Sequence, residues 1–109
     1  MAISIVVSDT VKFKVKGTIN DAEGKAQPFD FWLTCERLST DALSAKIKTD
    51  GNINDFVVDV VRDWDDVRDE DGKKIPFSTD ALRQLCAIPG VGFVAYRTYA
   101  TEVGAKEKN

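Results

Sequence analysis

The sequence lacks histidine altogether. Imidazole is the commonest general base in proteins. Its absence also excludes the nucleophile–base dyads that depend on histidine, and most zinc sites. No nucleophile motif takes their place, and nothing marks a pair of the many carboxylates as buried or poised for catalysis. We therefore expect no catalytic residue, no metal site, no cofactor and no enzymatic activity. A carboxylate-dependent hydrolase is the enzymatic alternative.

Long apolar runs are missing as well. No run approaches the roughly 18 apolar residues that a membrane span needs. The first nine residues have neither the basic region nor the long apolar region of a signal peptide, so we expect none. The cysteines, Cys35 and Cys86, each lie among apolar neighbours, which favours buried, reduced thiols over a disulfide. The net charge of -3 argues against nucleic acid or an anionic membrane as the main partner.

What is present suits one globular domain. At 109 residues the chain is long enough to bury a core without disulfides or a metal. We expect this domain to span residues 1–103. Residues 104–109 are charged and have no large apolar side chain, so they are predicted to form a disordered tail.

The N-terminal third has the two-residue period that is typical of strands. Residues 3–7 show this pattern weakly. Residues 11–16 show it strongly, with apolar side chains on one face and lysines on the other, and residues 28–36 repeat it. The polar segment 17–27 predicts a hairpin loop between the two stronger strands.

The polar face of this hairpin has two interpretations. Antiparallel pairing would set its lysines against Asp30 and Glu36. Exposed lysines on a strand also discourage edge-to-edge pairing, and this interpretation is preferred to a binding patch for an acidic partner. Trp32 falls on the same face, so either a helix covers it or it contacts a partner.

The rest of the chain predicts about four short helices. The first begins after the capping signal at residues 38–41 and runs through Lys48. The second is marked by apolar residues at helical spacing over residues 53–64. Ser78 caps the third, and Pro89 is expected in the first turn of the fourth.

An acidic stretch, residues 64–78, joins the second and third helices. Its carboxylates do not have the spacing of a calcium loop. With Asp65 as the first ligand, Val67 falls at the third position and Glu70 where the turn glycine belongs. Asp71-Gly72 instead predicts the tip of a short two-stranded tongue. The predicted fold is therefore α+β: an N-terminal antiparallel β-hairpin packed with about four short helices, with this acidic tongue between the second and third.

A string of features between residues 60 and 99 is shared with one family. It comprises Val60-Val61, Trp64-Asp65-Asp66-Val67, Asp69-Glu70-Asp71-Gly72-Lys73, Ile75-Pro76-Phe77-Ser78, Ala81-Leu82, the segment from Leu85 to Gly90, and a closing helix with Tyr96 and Tyr99. Through these features the chain resembles the tail assembly chaperones of long-tailed bacteriophages.

The resemblance implies a protein of a phage or prophage that works in the host bacterial cytoplasm. Such chaperones bind the long, helical tape measure protein, keep it soluble and help to recruit the major tail protein during tail polymerisation. They are not retained in the virion. The alternative is a structural tail or neck subunit of a phage or prophage.

Covering an apolar helix reversibly requires apolar or aromatic anchors within a charged surround. We take Trp32, Phe93, Tyr96 and Tyr99 as candidate partner-binding residues, with packing in the core as the alternative for each. The expected partners are the tape measure protein and the major tail protein. Self-association is left open, and neither nucleic acid nor a membrane is expected.

Many members of this family are made in two lengths by a programmed ribosomal frameshift. The codons GAA-AAA-AAC for Glu107-Lys108-Asn109 would contain the slippery heptamer A-AAA-AAC. We therefore expect an overlapping reading frame that yields a longer product.

Overall fold

In the computed structural model, which describes residues 2–49 and 51–107, a β-hairpin is followed by helices and one further strand. The elements are β1 (Thr10–Asn20), β2 (Ala26–Glu36), α1 (Thr40–Thr49), α2 (Ile53–Val60), β3 (Val61–Asp65), α3 (Thr79–Cys86) and α4 (Val91–Glu102). The strands form one antiparallel sheet with β2 in the centre. The predicted α+β class and the N-terminal hairpin are confirmed, and β3 is an addition to them.

The hairpin turn is shorter than the predicted loop of residues 17–27. The Asp21 carboxylate accepts hydrogen bonds from the backbone N–H groups of Glu23 and Lys25 at 2.9 and 3.0 Å. These bonds, led by the one from Lys25, lower the pKa of Asp21. Because the turn closes this tightly, both strands extend beyond the predicted limits and β1 reaches Asn20.

The second helix also ends earlier than predicted, because Val61 already begins β3. Leu33 pairs with Trp64 and Cys35 with Val61, and the register shifts between Thr34 and Cys35. This bulge lets Val61 and Trp64 both reach the buried face of the sheet although they lie three residues apart. The spacing of apolar residues that predicted a helix through Trp64 is therefore produced here by a bulged strand. The prediction that the helix continues to Trp64 is wrong.

The core lies between the sheet and the helices. Tyr99 of α4 is its aromatic centre, with its ring 6.2 Å from that of Phe13 in β1 and 5.7 Å from that of Phe56 in α2. The buried residues are Phe13, Val15, Phe31, Leu33, Cys35, Phe56, Val57, Val60, Val61, Trp64, Val67, Leu82, Cys86, Val91, Ala95, Tyr99 and Val103. Cys35 and Cys86 are free thiols within this set, as predicted.

The acidic tongue predicted between the second and third helices is present. Arg68 and Lys74 form an antiparallel bridge, and the Ile75 N–H donates to the Val67 carbonyl oxygen at 2.8 Å. Asp71-Gly72 lies in the turn between these two short segments, as expected. The tongue leads the chain from the end of β3 to the start of α3.

Trp64 anchors the base of this tongue. Its indole N–H donates to the Ile75 carbonyl oxygen at 2.8 Å. Its ring meets the Phe77 ring edge-on, with centroids 5.3 Å apart. The predicted role of Trp64 as a core anchor is therefore confirmed, although it belongs to a strand.

Both ends of the chain depart from the predicted elements. Residues 3–7 do not form the weakly predicted strand, and their aliphatic side chains are exposed. Residues 104–107 lie exposed outside any helix or strand, whereas Lys108 and Asn109 lie outside the described residues. Disorder of the tail and the domain boundary at residue 103 stay predictions.

The last helix, α4, begins at Val91, which is later than predicted. Pro89 precedes α4 instead of occupying its first turn, because Gly90 is the N-cap, with a φ of 89°. The predicted Ser78 cap of α3 is confirmed: its hydroxyl accepts from the Ala81 N–H at 3.0 Å.

Candidate functional site

Tyr99, one of the candidate partner-binding residues, lies in the core. Its side chain is 2% exposed. Its hydroxyl donates to the Glu36 carbonyl oxygen at 2.8 Å and accepts from the Leu38 N–H at 3.3 Å. Burial raises the pKa of this phenol. Tyr99 therefore joins α4 to the end of β2 and is not available to a partner at the surface.

Trp32 lies half-buried on the outer face of the sheet. The ammonium groups of Lys12 and Lys14 lie 5.5 and 5.4 Å from its ring centroid, within cation–π distance. Phe13, between these lysines, points to the opposite face and meets Tyr99 of α4. Trp32 is therefore flanked by lysines of the neighbouring strand, and the sheet separates it from α4.

Phe93 and Tyr96 are brought together on α4, because residues three apart lie on neighbouring turns of a helix. The Phe93 ring is 49% exposed, with the Arg97 guanidinium carbon 5.7 Å from its centroid. The half-buried Tyr96 ring packs edge-on against Phe56, with centroids 5.3 Å apart. These two of the four candidate residues thus lie at the surface of the same helix.

A small apolar groove adjoins Tyr96. Its lining residues are Ile47, Asn52, Ile53, Phe56 and Tyr96, from α1, α2, α4 and the cap of α2, and its volume is about 140 Å³. We call it the helix groove. Small-molecule pockets usually measure roughly 300–1,000 Å³. The helix groove therefore suits an apolar side chain of a partner better than a free ligand.

The α1 wall of the helix groove is loosely attached. None of the residues of α1 is buried, and Ile47 is 48% exposed. Lys46 of α1 contacts Asp59 of α2 through an ion pair of 3.0 Å between side chains that are 26% and 52% exposed. Exposed pairs of this kind contribute little to stability. We therefore expect α1 to shift more easily than α2, which would widen the groove.

Sequence reasoning missed Ile47 and Ile53 as site residues. The available signal was the short stripe of Leu43 and Ile47, which is too small to bury α1 against a core. That signal indicates an incompletely covered helix, but it does not say that α2 and α4 would complete a groove beside it.

Metal-ligating side chains do not cluster in the described residues, and the thiols there are buried. Among residues 2–49 and 51–107, no group of three or more carboxylate, cysteine or histidine side chains could hold a metal ion. Burial raises the pKa of the Cys35 thiol to about 12, which disfavours the nucleophilic thiolate. No helix in these residues is long and apolar enough to cross a membrane.

Comparison of the chain with protein-family models, curated proteins and solved structures found no match.

Proposed function

We propose that this protein is a non-enzymatic assembly chaperone of a phage or prophage. It binds the tape measure protein in the host cytoplasm, promotes tail polymerisation and is not retained in the virion. The observation that carries the proposal is the helix groove beside Tyr96, where α1, which has no buried residue, leaves an apolar surface open. The likeness of residues 60–99 to tail assembly chaperones supports it.

The mode of binding follows from the geometry of an amphipathic helix. Such a helix presents apolar side chains at spacings of three and four residues, and these side chains can enter an apolar groove. Phe93 and Tyr96 on α4 and Ile47 on α1 would contact them. Arg97 and Asp59 would remain in water at the edge of the contact.

The size of the helix groove favours release after assembly. One aliphatic anchor in the groove contributes roughly 1.5–3 kcal/mol before the cost of association is subtracted. A weak contact repeated along a long helical protein keeps that protein soluble, yet each contact gives way when the tail tube forms. The major tail protein is the second partner in this proposal.

Co-expression with the tape measure protein tests the site. We expect the natural chain to keep the tape measure protein in the soluble fraction. Phe93→Ala combined with Ile47→Asp should lose this effect while circular dichroism shows a folded protein. Trp32→Ala is the matched control, because it truncates an aromatic residue on the outer face of the sheet.

Two results would contradict the proposal. Solubility of the tape measure protein that survives the double substitution removes the helix groove from the function. Detection of this chain as a stoichiometric component of purified virions supports instead a structural tail or neck subunit.

The proposed longer product is tested at the level of the gene. We expect a slippery heptamer at the codons for residues 107–109 and an overlapping open frame after it. A gene without the heptamer and without that frame contradicts the frameshift and leaves the groove test untouched.

A further inference from the structure

The N-terminal segment, residues 2–8, is an apolar arm whose largest side chains are exposed. Ile3, Ile5, Val6 and Val7 are 87%, 99%, 79% and 60% exposed. The segment carries no charged side chain. A contiguous apolar surface of this kind on a soluble chain indicates an interaction site. We call residues 2–8 the arm.

A second apolar surface lies near the hairpin turn, at the opposite end of β1. It is a groove of about 490 Å³ between the hairpin, the tongue and α3. We call it the hairpin groove. Ile19 and Ile88 in its lining are each 39% exposed, and Phe29 and Leu85 in the same lining are partly buried and pack against the core. It shares no lining residue with the helix groove.

The floor of the hairpin groove is held in place by close packing. Phe29 pairs with Gly17 across the two strands, and its ring lies over the glycine. A Cβ atom at Gly17 would come within 2.5 Å of that ring. The Phe29 and Phe31 rings are stacked with centroids 6.1 Å apart. The groove is therefore a built surface of the hairpin, not a gap between mobile side chains.

The arm is too short to reach the Ile19 end of the hairpin groove of its own chain. Thr10 and Ile19 lie nine residues apart in β1, which is roughly 30 Å along an extended strand. Folded back and fully extended, the chain from Thr10 to Ile5 covers at most about 18 Å. Ile5, Val6 and Val7 therefore stop well short of Ile19.

We propose that the arm of one molecule occupies the hairpin groove of a second copy, and that two copies exchange arms around a twofold axis. In the dimer each arm removes four aliphatic side chains from water, about 60–120 Å² for each. With both arms and a matching area of the two grooves, the interface reaches roughly 1,000–2,000 Å². This is the size of a specific protein–protein interface.

Charge also favours this occupant over direct pairing of the exposed β1 edges. Antiparallel pairing of β1 with its copy would set the rows of Lys12, Lys14 and Lys16 against each other, and like charges at such positions are destabilising. The uncharged arm avoids that repulsion. It also enters a groove in which the exposed aliphatic side chains of Ile19 and Ile88 lie beside two acidic residues and one basic residue, Asp30, Asp66 and Arg68.

The oligomeric state of the full chain tests the exchange. We expect a concentration-dependent dimer in sedimentation velocity. Ile5→Asp and Ile88→Asp should each raise its dissociation constant by roughly tenfold or more. Ile47→Asp, which places the same charge in the helix groove, is the control and should leave the dimer intact. A chain that is monomeric at every concentration overturns the proposal, as does a dimer that survives Ile5→Asp.

Cross-linking identifies the occupant directly. A chain with Ile5→Cys is mixed with a chain with Ile88→Cys and oxidised, and we expect a covalent heterodimer. Cys35 and Cys86 are buried and their thiol pKa values are raised, so they compete poorly. Ile5→Cys mixed with Ile47→Cys is the matched control. Equal yields in the two mixtures overturn the proposal, and so does a cross-link that forms within one chain carrying both Ile5→Cys and Ile88→Cys.

Discussion

The neighbouring helices α1 and α2 show how similar sequence patterns lead to different packing. Both carry apolar residues at helical spacing. In α2 these residues, Phe56, Val57 and Val60, are buried against α4 and the sheet. In α1 none is buried, and Ile47 is half-exposed. The spacing of apolar residues shows that a helix has an apolar face, but the tertiary structure decides whether the chain itself covers that face.

The largest expected effect is the difference in unfolding free energy that is lost when an apolar side chain is truncated in α2 and in α1. Phe56→Ala removes a ring that meets both Tyr96 and Tyr99, and should lower the free energy of unfolding by about 3–5 kcal/mol. Ile47→Ala, at a half-exposed position, should cost less than about 1 kcal/mol. Urea unfolding followed by circular dichroism measures both.

Phe56→Leu serves as the milder variant, because a full truncation removes much of the stability of a domain of this size. It should lie between the other two. Equal losses at Phe56 and Ile47 would mean that α1 is as firmly packed as α2, and the distinction between the helices would fail.

Alkaline pH should weaken the core through its buried thiols. Burial raises the pKa of Cys35 from its ordinary value of 9.0 to about 12. Between these pH values the unfolded chain has released the thiol proton and the folded chain retains it. The free energy of unfolding therefore falls as pH rises, by up to about 1.4 kcal/mol for each pH unit. Below pH 9 this contribution is fully present.

The measurement is urea unfolding at several pH values between 9 and 12. Cys35→Ala should be less stable at neutral pH, because it leaves a cavity, but its stability should fall less steeply with pH. Burial also raises the pKa of Tyr99. At the upper end of this range, Tyr99 therefore steepens the fall of the free energy of unfolding with pH in both proteins. Identical slopes would show that Cys35 titrates as an exposed thiol does.

A smaller effect distinguishes the two tyrosines of α4. Tyr99→Phe leaves the Glu36 carbonyl oxygen and the Leu38 N–H without their hydroxyl partner, which should cost about 1–3 kcal/mol. Tyr96→Phe, the same change three residues earlier on a half-exposed ring, should stay within about 0.5 kcal/mol. Thermal unfolding compares the two, and a larger loss at Tyr96 would reverse their assignment to surface and core.

These contrasts show what could be predicted from the sequence. The hairpin followed from its two-residue period, because each strand of the antiparallel pair buries alternate side chains. β3 was missed because a helix and a bulged strand both place Val61 and Trp64 on one face. Only the pairing with Leu33 and Cys35 distinguishes the two structures, and such long-range contacts leave no local signal.

The candidate site was harder to predict than the fold. Tyr96 and Tyr99 both lie near the apolar stripe of α4, and a period of 3.6 residues does not tell a core position from its half-exposed neighbour. The helix groove needs side chains from α1, α2 and α4 at once. Its existence depends on how these helices pack, which the spacing within any one of them cannot specify.

The smallest expected effect concerns the contact between α1 and α2. Asp59→Asn removes the charge that pairs with Lys46, and an exposed pair contributes about 0.2–1 kcal/mol. We expect amide hydrogen exchange in α1 to be faster than in α2 already in the natural chain, because weakly buried elements open locally. The substitution should accelerate exchange in α1 by about fivefold at most, with little change in α2.

Salt and a matched variant make this result specific. High salt should accelerate exchange in α1 of the natural chain and have less effect in Asp59→Asn, because screening removes the same attraction. Glu36→Gln removes the charge that pairs with Arg62, and neither residue belongs to α1. This substitution should leave exchange in α1 unchanged. If α1 exchanges only together with α2, it opens only when the whole domain unfolds. The helix groove could not then widen independently of the core, and binding would have to use Phe93 and the groove at its fixed width.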